Sequence, residues 1–273
     1  MIGHRGKRLC ALLLALGLVP LGTAAVRTAP MEETVPVEIT APSAMLVEAE
    51  TGTVIFEKNA DEQRPVASVT KLMTLLLTFE ALEEGTVSLE DQVTVSRAAA
   101  GQIGSQALLD AGAVYSLKEL LKSTIIASAN DSAYALAEYL AGTETDFVAR
   151  MNERAQELGM TDTHFVNCTG LDDGPDAGEH LTTAYDIALM SRELLKHERI
   201  KEYTTIWMDT VRNGQFGLAN TNKLVRFYDG TTGLKTGYTS AAGYCLSASA
   251  ERNGMELIAV VLHCDTSPHR FES

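Results

Sequence analysis

Strand-forming sequence stands at both ends of this chain with a long helical pattern between, and that arrangement limits the folds open to it. Near the carboxy terminus Gly233 to Tyr238, Gly243 to Ala250 and Glu256 to His263 are rich in apolar and β-propensity residues. Arg252-Asn253-Gly254 joins the last two, and Asn-Gly between such runs is a strong hairpin signal because both residues tolerate positive φ. At the other end Ala44 to Glu50 and Thr53 to Lys58 surround Glu50-Thr-Gly-Thr53 and predict a second hairpin. Strands from both ends with helices between imply an α+β fold with one sheet shared by the two ends.

The helical stretch runs from Val87 to about Thr205, opening with Gln92 to Val95 as a short strand. Ser116-Leu-Lys-Glu119 is a capping box that starts a helix through Ile126. Ser128-Ala-Asn130 then interrupts, Asp131 caps a further run from Ser132 to Leu140, and Gly142 ends it. Phe147 to Leu158 and Thr183 to Lys196 repeat apolar residues at three-to-four spacing and read as two more helices. Ahead of this stretch, a polar loop from Asn59 to Arg64 leads into an apolar helix that ends near Glu84-Gly85.

Composition bears on partners and compartment. With 273 residues, 45% of them hydrophobic, the chain can bury a substantial core, and a formal net charge of −14 disfavours nucleic acid or an anionic membrane surface as partner. The basic residues His4, Arg5, Lys7 and Arg8, followed by the apolar run Leu9 to Leu18 and then small residues, predict an export signal over residues 1–25. A flexible Pro- and Thr-rich lead over 26–42 follows, and residues 43–273 form the folded domain. No later segment is apolar enough to span a bilayer, so membrane anchoring is not evident. Of the four cysteines Cys10 lies in the signal; Cys245 and Cys264 fall on neighbouring strands, where buried free thiols are favoured over a disulfide.

Three short elements occur in order: Ser68-Val-Thr-Lys71 at the start of a helix, Ser128-Ala-Asn130 between helices, and Lys235-Thr-Gly237 on a strand. Alone, Ser-x-x-Lys arises by chance roughly once in 270 residues. Positions i and i+3 share one helical face, however, and a lysine amine beside a serine hydroxyl makes the serine nucleophilic without histidine. Lys71 serves as that base only if burial and a second cation such as Lys235 lower its pKa. The three elements in this order are the motif set of penicillin-binding proteins and class A β-lactamases.

The chain resembles the serine-type D-alanyl-D-alanine carboxypeptidases, low-molecular-mass penicillin-binding proteins of bacterial cell walls, from about Ala41 to Val261. Ala127 to Glu138, Met160 to Leu171 and Gly233 to Leu246 carry the likeness beyond the trio. Many relatives have glycine where this chain has Ala129, a small departure. The resemblance implies a transpeptidase-like domain, with no metal or cofactor, acting on the peptidoglycan stem peptide outside the cytoplasm and covalently inhibited by β-lactam antibiotics. It implies Ser68 as nucleophile, Lys71 as base, Ser128 as proton relay and Asn130 as ligand for the substrate amide. Lys235 and Thr236 hold the terminal carboxylate, Gly237 lets the strand approach closely, and the N–H groups of Ser68 and Tyr238 form the oxyanion hole. Relatives continue with a terminal helix and often a β-rich domain, both expected to be absent before Ser273.

Rival patterns fail. Gly230-Thr-Thr-Gly-Leu-Lys-Thr236 lacks the glycine that precedes the lysine of a phosphate loop, and the acidic loop Asp172 to Glu179 lacks calcium-loop spacing. No Gly-x-Ser-x-Gly elbow or His-Glu-x-x-His occurs. The alternatives are a class A β-lactamase and a non-catalytic penicillin-binding or sensor domain. The first needs a glutamate in a Glu-x-x-Leu-Asn context, from which Glu179-His-Leu-Thr182 departs. The second would lose a member of the trio or add membrane helices and an intracellular effector.

Overall fold

The computed structural model describes residues 38–273; the predicted signal and most of the lead lie outside the described residues. In chain order, β1 (Ser43–Glu48) and β2 (Val54–Lys58) precede α1 (Lys71–Glu83), β3 (Gln92–Thr94), α2 (Arg97–Ala100) and β4 (Val114–Ser116). Helices α3 (Leu117–Ile126), α4 (Asn130–Ala141), α5 (Glu144–Glu157), α6 (Ala184–Leu195) and α7 (Lys201–Thr204) follow. The chain then forms β5 (Met208–Val211), β6 (Phe216–Ala219), α8 (Leu224–Phe227), β7 (Thr231–Thr239), β8 (Gly243–Arg252), β9 (Met255–Cys264) and α9 (His269–Glu272).

The two ends meet as the strand pattern requires. The sheet is antiparallel with order β2-β1-β9-β8-β7, and β1 pairs with β9 from Ser43 opposite Leu262 to Glu48 opposite Leu257. Asn253 and Gly254 take φ of 53° and 75° at the β8–β9 turn, the conformation that a two-residue hairpin of this type demands. On the inner face Met45, Val47, Leu234, Cys245, Ile258, Val260 and Leu262 pack with α1 and α6 residues in the main core. On the outer face Ala44, Leu246, Ala248, Val261 and Cys264 form a smaller cluster, to which Ile39, Phe56 and Phe271 of α9 contribute. Cys245 and Cys264 therefore sit in clusters on opposite faces of the sheet, and both are buried free thiols.

Helix α1 is buried nearly all round, including Lys71, Thr74 and Thr78, so it is the core helix of the molecule rather than an amphipathic surface one. Helix α6 lies against the sheet, and its Arg192 donates from Nε to the Ala49 carbonyl at 2.9 Å and from Nη2 to that of Glu50 at 3.0 Å, fixing the β1–β2 turn. Among the described residues no helix is long and apolar enough to cross a membrane.

Three local readings change. Ser68 lies not in the α-helix but in a 3-10 turn, Ala67–Thr70, that runs into it. The short strand expected at Gln92 to Val95 is present as β3, but its partner β4 and the β5–β6 hairpin after the helical stretch were not expected, although Asn213-Gly214 marks that hairpin. Asp131 is not the cap of α4, which begins at Asn130 after Ala129. Its buried carboxylate turns sideways and accepts the backbone N–H groups of Ala107 at 3.0 Å, Leu109 at 3.1 Å and Ser132 at 2.8 Å. The Ser128-to-Asp131 segment is thereby stapled to the loop over 101–110. Asp131→Ala leaves buried donors without acceptors, and urea unfolding should register a loss of about 2–4 kcal/mol, with Asp131→Asn retaining part of it.

Candidate active site

Edge strand β7 runs beside the turn Ala67–Thr70, and this contact assembles the site. A Cβ on Gly237 would stand 2.3 Å from the Val66 carbonyl oxygen and 3.2 Å from the Ser68 nitrogen. Only glycine admits that approach. Behind the turn, a Cβ on Gly170 would lie 1.9 Å from the Ala67 carbonyl oxygen, so the segment through Thr169 is equally close. The turn is held between these two backbones with Ala67 at φ 49°, a left-handed conformation uncommon for a residue with a side chain.

Lys71 projects from the first residue of α1 back toward Ser68. Its Nζ donates to Ser68 Oγ at 2.8 Å and to the Thr169 carbonyl at 2.7 Å. The side chain is wholly buried, and burial lowers its pKa to about 7; Cys168 and Asp131 oppose the shift. Burial also pushes the Cys168 thiol well above its ordinary range, so it stays neutral and does little to keep Lys71 protonated. At neutral pH a large fraction of Lys71 is free amine within hydrogen-bond reach of a serine hydroxyl.

Of the other expected residues, Lys235 lies close enough to Lys71 to be perturbed by it, and Gly237 on the same strand meets the Ser68 turn. Ser128 is buried, takes φ 60°, and its hydroxyl makes no hydrogen bond among the described residues. Asn130 donates from Nδ2 to the Ile103 carbonyl at 2.6 Å, while its Oδ1 is buried with no partner among the described residues. Lys235 is buried and donates to the Thr236 carbonyl at 3.0 Å. Burial, then Lys71 and Arg270, pushes its pKa well down. The residues alone suggested a charged Lys235; burial and the neighbouring Lys71 and Arg270 work against that charge. Thr236 Oγ1 donates to Thr221 Oγ1 at 2.7 Å, and Tyr238, about half exposed, stacks on Tyr244 at 4.3 Å.

Several contributors were missed. The Thr169 carbonyl that receives Lys71 lies in the Met160 to Leu171 run, but a backbone acceptor has no residue signature. Thr221 sits between two buried asparagines: Asn220 holds the Thr204 and Ile206 carbonyls, and Asn222 holds the Gly233 carbonyl at 3.0 Å. This bridge ties β7 to the helices, and nothing in its spacing marks it. Arg270 of α9 donates to the Gly237 carbonyl at 3.1 Å and lies over Tyr244.

A serine in contact with a buried lysine, facing an edge strand under helices laid on an antiparallel sheet, is the penicillin-binding-protein architecture. The structure superposes on penicillin-binding protein D2 from Listeria monocytogenes in its cefotaxime-bound form with TM-score 0.79 and 33% identity, covering 88% of this chain and 96% of that one. It superposes on the D-alanyl-D-alanine carboxypeptidase DacD from Francisella tularensis with TM-score 0.81 and 29% identity, covering 93% and 74%. The peptidase S11 model, D-alanyl-D-alanine carboxypeptidase, matches residues 28–266, and the chain belongs to that family. It is 46% identical over 233 residues to D-alanyl-D-alanine carboxypeptidase DacF of Bacillus subtilis, covering 84% of this chain and 59% of the relative. With DacD of Escherichia coli it shares 36% identity over 251 residues, covering 87% and 62%. The chain thus spans about three-fifths of these relatives' lengths.

The buried amine has a thermodynamic signature. A lysine whose folded pKa is about 7 against an ordinary 10.5 lends its full stability above 10.5 and loses it progressively as pH falls toward 7. Lys71→Met removes that liability. Its melting temperature relative to the parent should rise as pH is lowered across this window and level off below it, as followed by thermal unfolding in a pH series.

Proposed function

We propose that the chain is a serine D,D-carboxypeptidase that removes the terminal D-alanine from peptidoglycan stem peptides and is acylated by β-lactams. The observation that carries this reading is the 2.8 Å contact between Ser68 Oγ and a buried Lys71 amine with a pKa of about 7.

In this mechanism neutral Lys71 takes the hydroxyl proton as Ser68 Oγ attacks the carbonyl carbon between the two D-alanines. Negative charge gathers on the carbonyl oxygen, where the N–H groups of Ser68 and Tyr238 receive it. Collapse breaks the C–N bond, the proton passes through Ser128 to the departing D-alanine amine, and an ester on Ser68 remains for water to hydrolyse. The unpartnered Oδ1 of Asn130 suits an N–H of the substrate amide. Lys235 and Thr236 hold the terminal carboxylate, whose charge raises the Lys235 pKa and restores its ammonium. A β-lactam enters the same path, but its amine stays tethered after ring opening. The cefotaxime-bound relative supports this part of the reading.

Two features weigh against a class A β-lactamase. Glu179 is exposed, and among the described residues no carboxylate hydrogen-bonds to Ser68 or Lys71, so a water-activating base for rapid deacylation is missing there. The complete trio, with its serine and lysine in contact, weighs against a silent binding or sensor domain. Substrate chemistry and the pattern of residues 1–25 both support action outside the cytoplasm, in the wall or periplasm.

Ser68→Ala should abolish labelling by a fluorescent penicillin and release of D-alanine from an acyl-D-Ala-D-Ala peptide, and persistent labelling would sink the assignment. In the parent, acylation should rise with pH about a midpoint near 7, since the amine rather than the ammonium accepts the proton. A profile flat from pH 5 to 9, with quench-flow confirming that acylation is being measured, would remove Lys71 as the base.

A further inference from the structure

The imidazole of His180 is 4% exposed, belongs to none of the three motifs, and joins the two backbones that hold Lys71. Its Nδ1 accepts the Val166 N–H at 3.2 Å. That bond requires a bare Nδ1, so the ring proton resides on Nε2, which donates to Thr70 Oγ1 at 2.7 Å. Thr70 stands between Ser68 and Lys71 in the nucleophile turn. Val166 opens the segment whose Thr169 carbonyl accepts from the Lys71 ammonium. One rigid ring therefore spans from the turn that carries nucleophile and base to the strip that carries the acceptor for the base.

We propose that His180 is a positioning residue for the acyl-transfer step, a neutral strut that sets the register of Thr169 and Thr70 and with it the contact of Lys71 with Ser68. This rests on the serine–lysine acylation reading. A neutral ring is essential to the role, because a second proton would occupy Nδ1, expel the Val166 N–H and place a cation beside Lys71. The surroundings enforce neutrality: burial, then His164 and Lys71, lowers the His180 pKa to about 4. Those two are the titratable neighbours that act on it, and the Phe165 ring meets it edge-on at 5.7 Å. A strut of this kind acts on rate through geometry, since small displacements of a base from its target cost large factors.

The full chain carries the test, with fluorescent-penicillin acylation and D-alanine release as readouts. Thr70→Val and His180→Asn each delete the Thr70 bond, Asn keeping an acceptor near Nδ1 for Val166. Each should lower the acylation rate roughly 10- to 100-fold with KM for the peptide unchanged, and the double variant should lose less than the product of the two. Thr70→Ser keeps the hydroxyl and should restore the parent rate. With the Thr169 acceptor displaced, the charged form of Lys71 loses support, so the midpoint of the pH profile should move below 7 in the slow variants. Rates within about twofold of the parent, fully additive losses, or a Thr70→Ser variant as slow as Thr70→Val would overturn the proposal, with folding checked by circular dichroism. If the parent itself neither acylates nor releases D-alanine, the functional reading fails instead.

Discussion

Taking the Lys71 ammonium out of water governs how the site and the elements around it are built. A charged amine buried without a carboxylate partner is strongly disfavoured, and the group responds by giving up its proton more readily. Among the described residues its hydrogen bonds go to the Ser68 hydroxyl and the Thr169 carbonyl. Neither carries the charge that would hold the proton in place. The core helix supplies the burial, the 3-10 turn supplies the serine, and the strip around Gly170 supplies the carbonyl.

Each surrounding element can be understood as keeping that arrangement dry and fixed. Gly237 and Gly170 press two backbones against the nucleophile turn at distances no side chain would permit. Asp131 staples the loop over 101–110 to the Ser128–Asn130 segment through backbone N–H groups, and Asn220 and Asn222 hold the base of β7 to the helices. Arg270 closes the opposite end by reaching the Gly237 carbonyl, so the one-turn helix α9 is coupled to the site strand as well as covering part of the outer face. The left-handed residues Ala67 and Ser128 persist because these contacts over-determine them.

Much of this was legible in the chain. The α+β class followed from strand patterns at both ends, and Asn253-Gly254 located one hairpin correctly because its turn chemistry is local. Asn213-Gly214 carried the same information but lies between four-residue strands, too short for a sustained alternation to frame it. Asp131 was misread for a related reason. A carboxylate in the first turn of a helix looks like a cap, and only the folded loop beside it reveals other donors. The close approach expected of Gly237 is present, and its target is the Val66 to Val69 backbone.

The residue types and their order are written in the chain: a serine and a lysine three positions apart, a serine and an asparagine between helices, and Lys-Thr-Gly on a strand. They are readable there because each depends on local spacing and on side-chain chemistry. The electrostatics emerge with folding. Burial lowers Lys71 and Lys235 alike, whereas the residues alone suggested one neutral and one charged lysine. Folding also brings in the supports, Thr169, Thr221, His180 and Arg270, which lie far from Lys71 in sequence or act through backbone atoms common to every residue. A pKa and a backbone acceptor are properties of packing, and packing is settled when the two ends of the chain meet in one sheet.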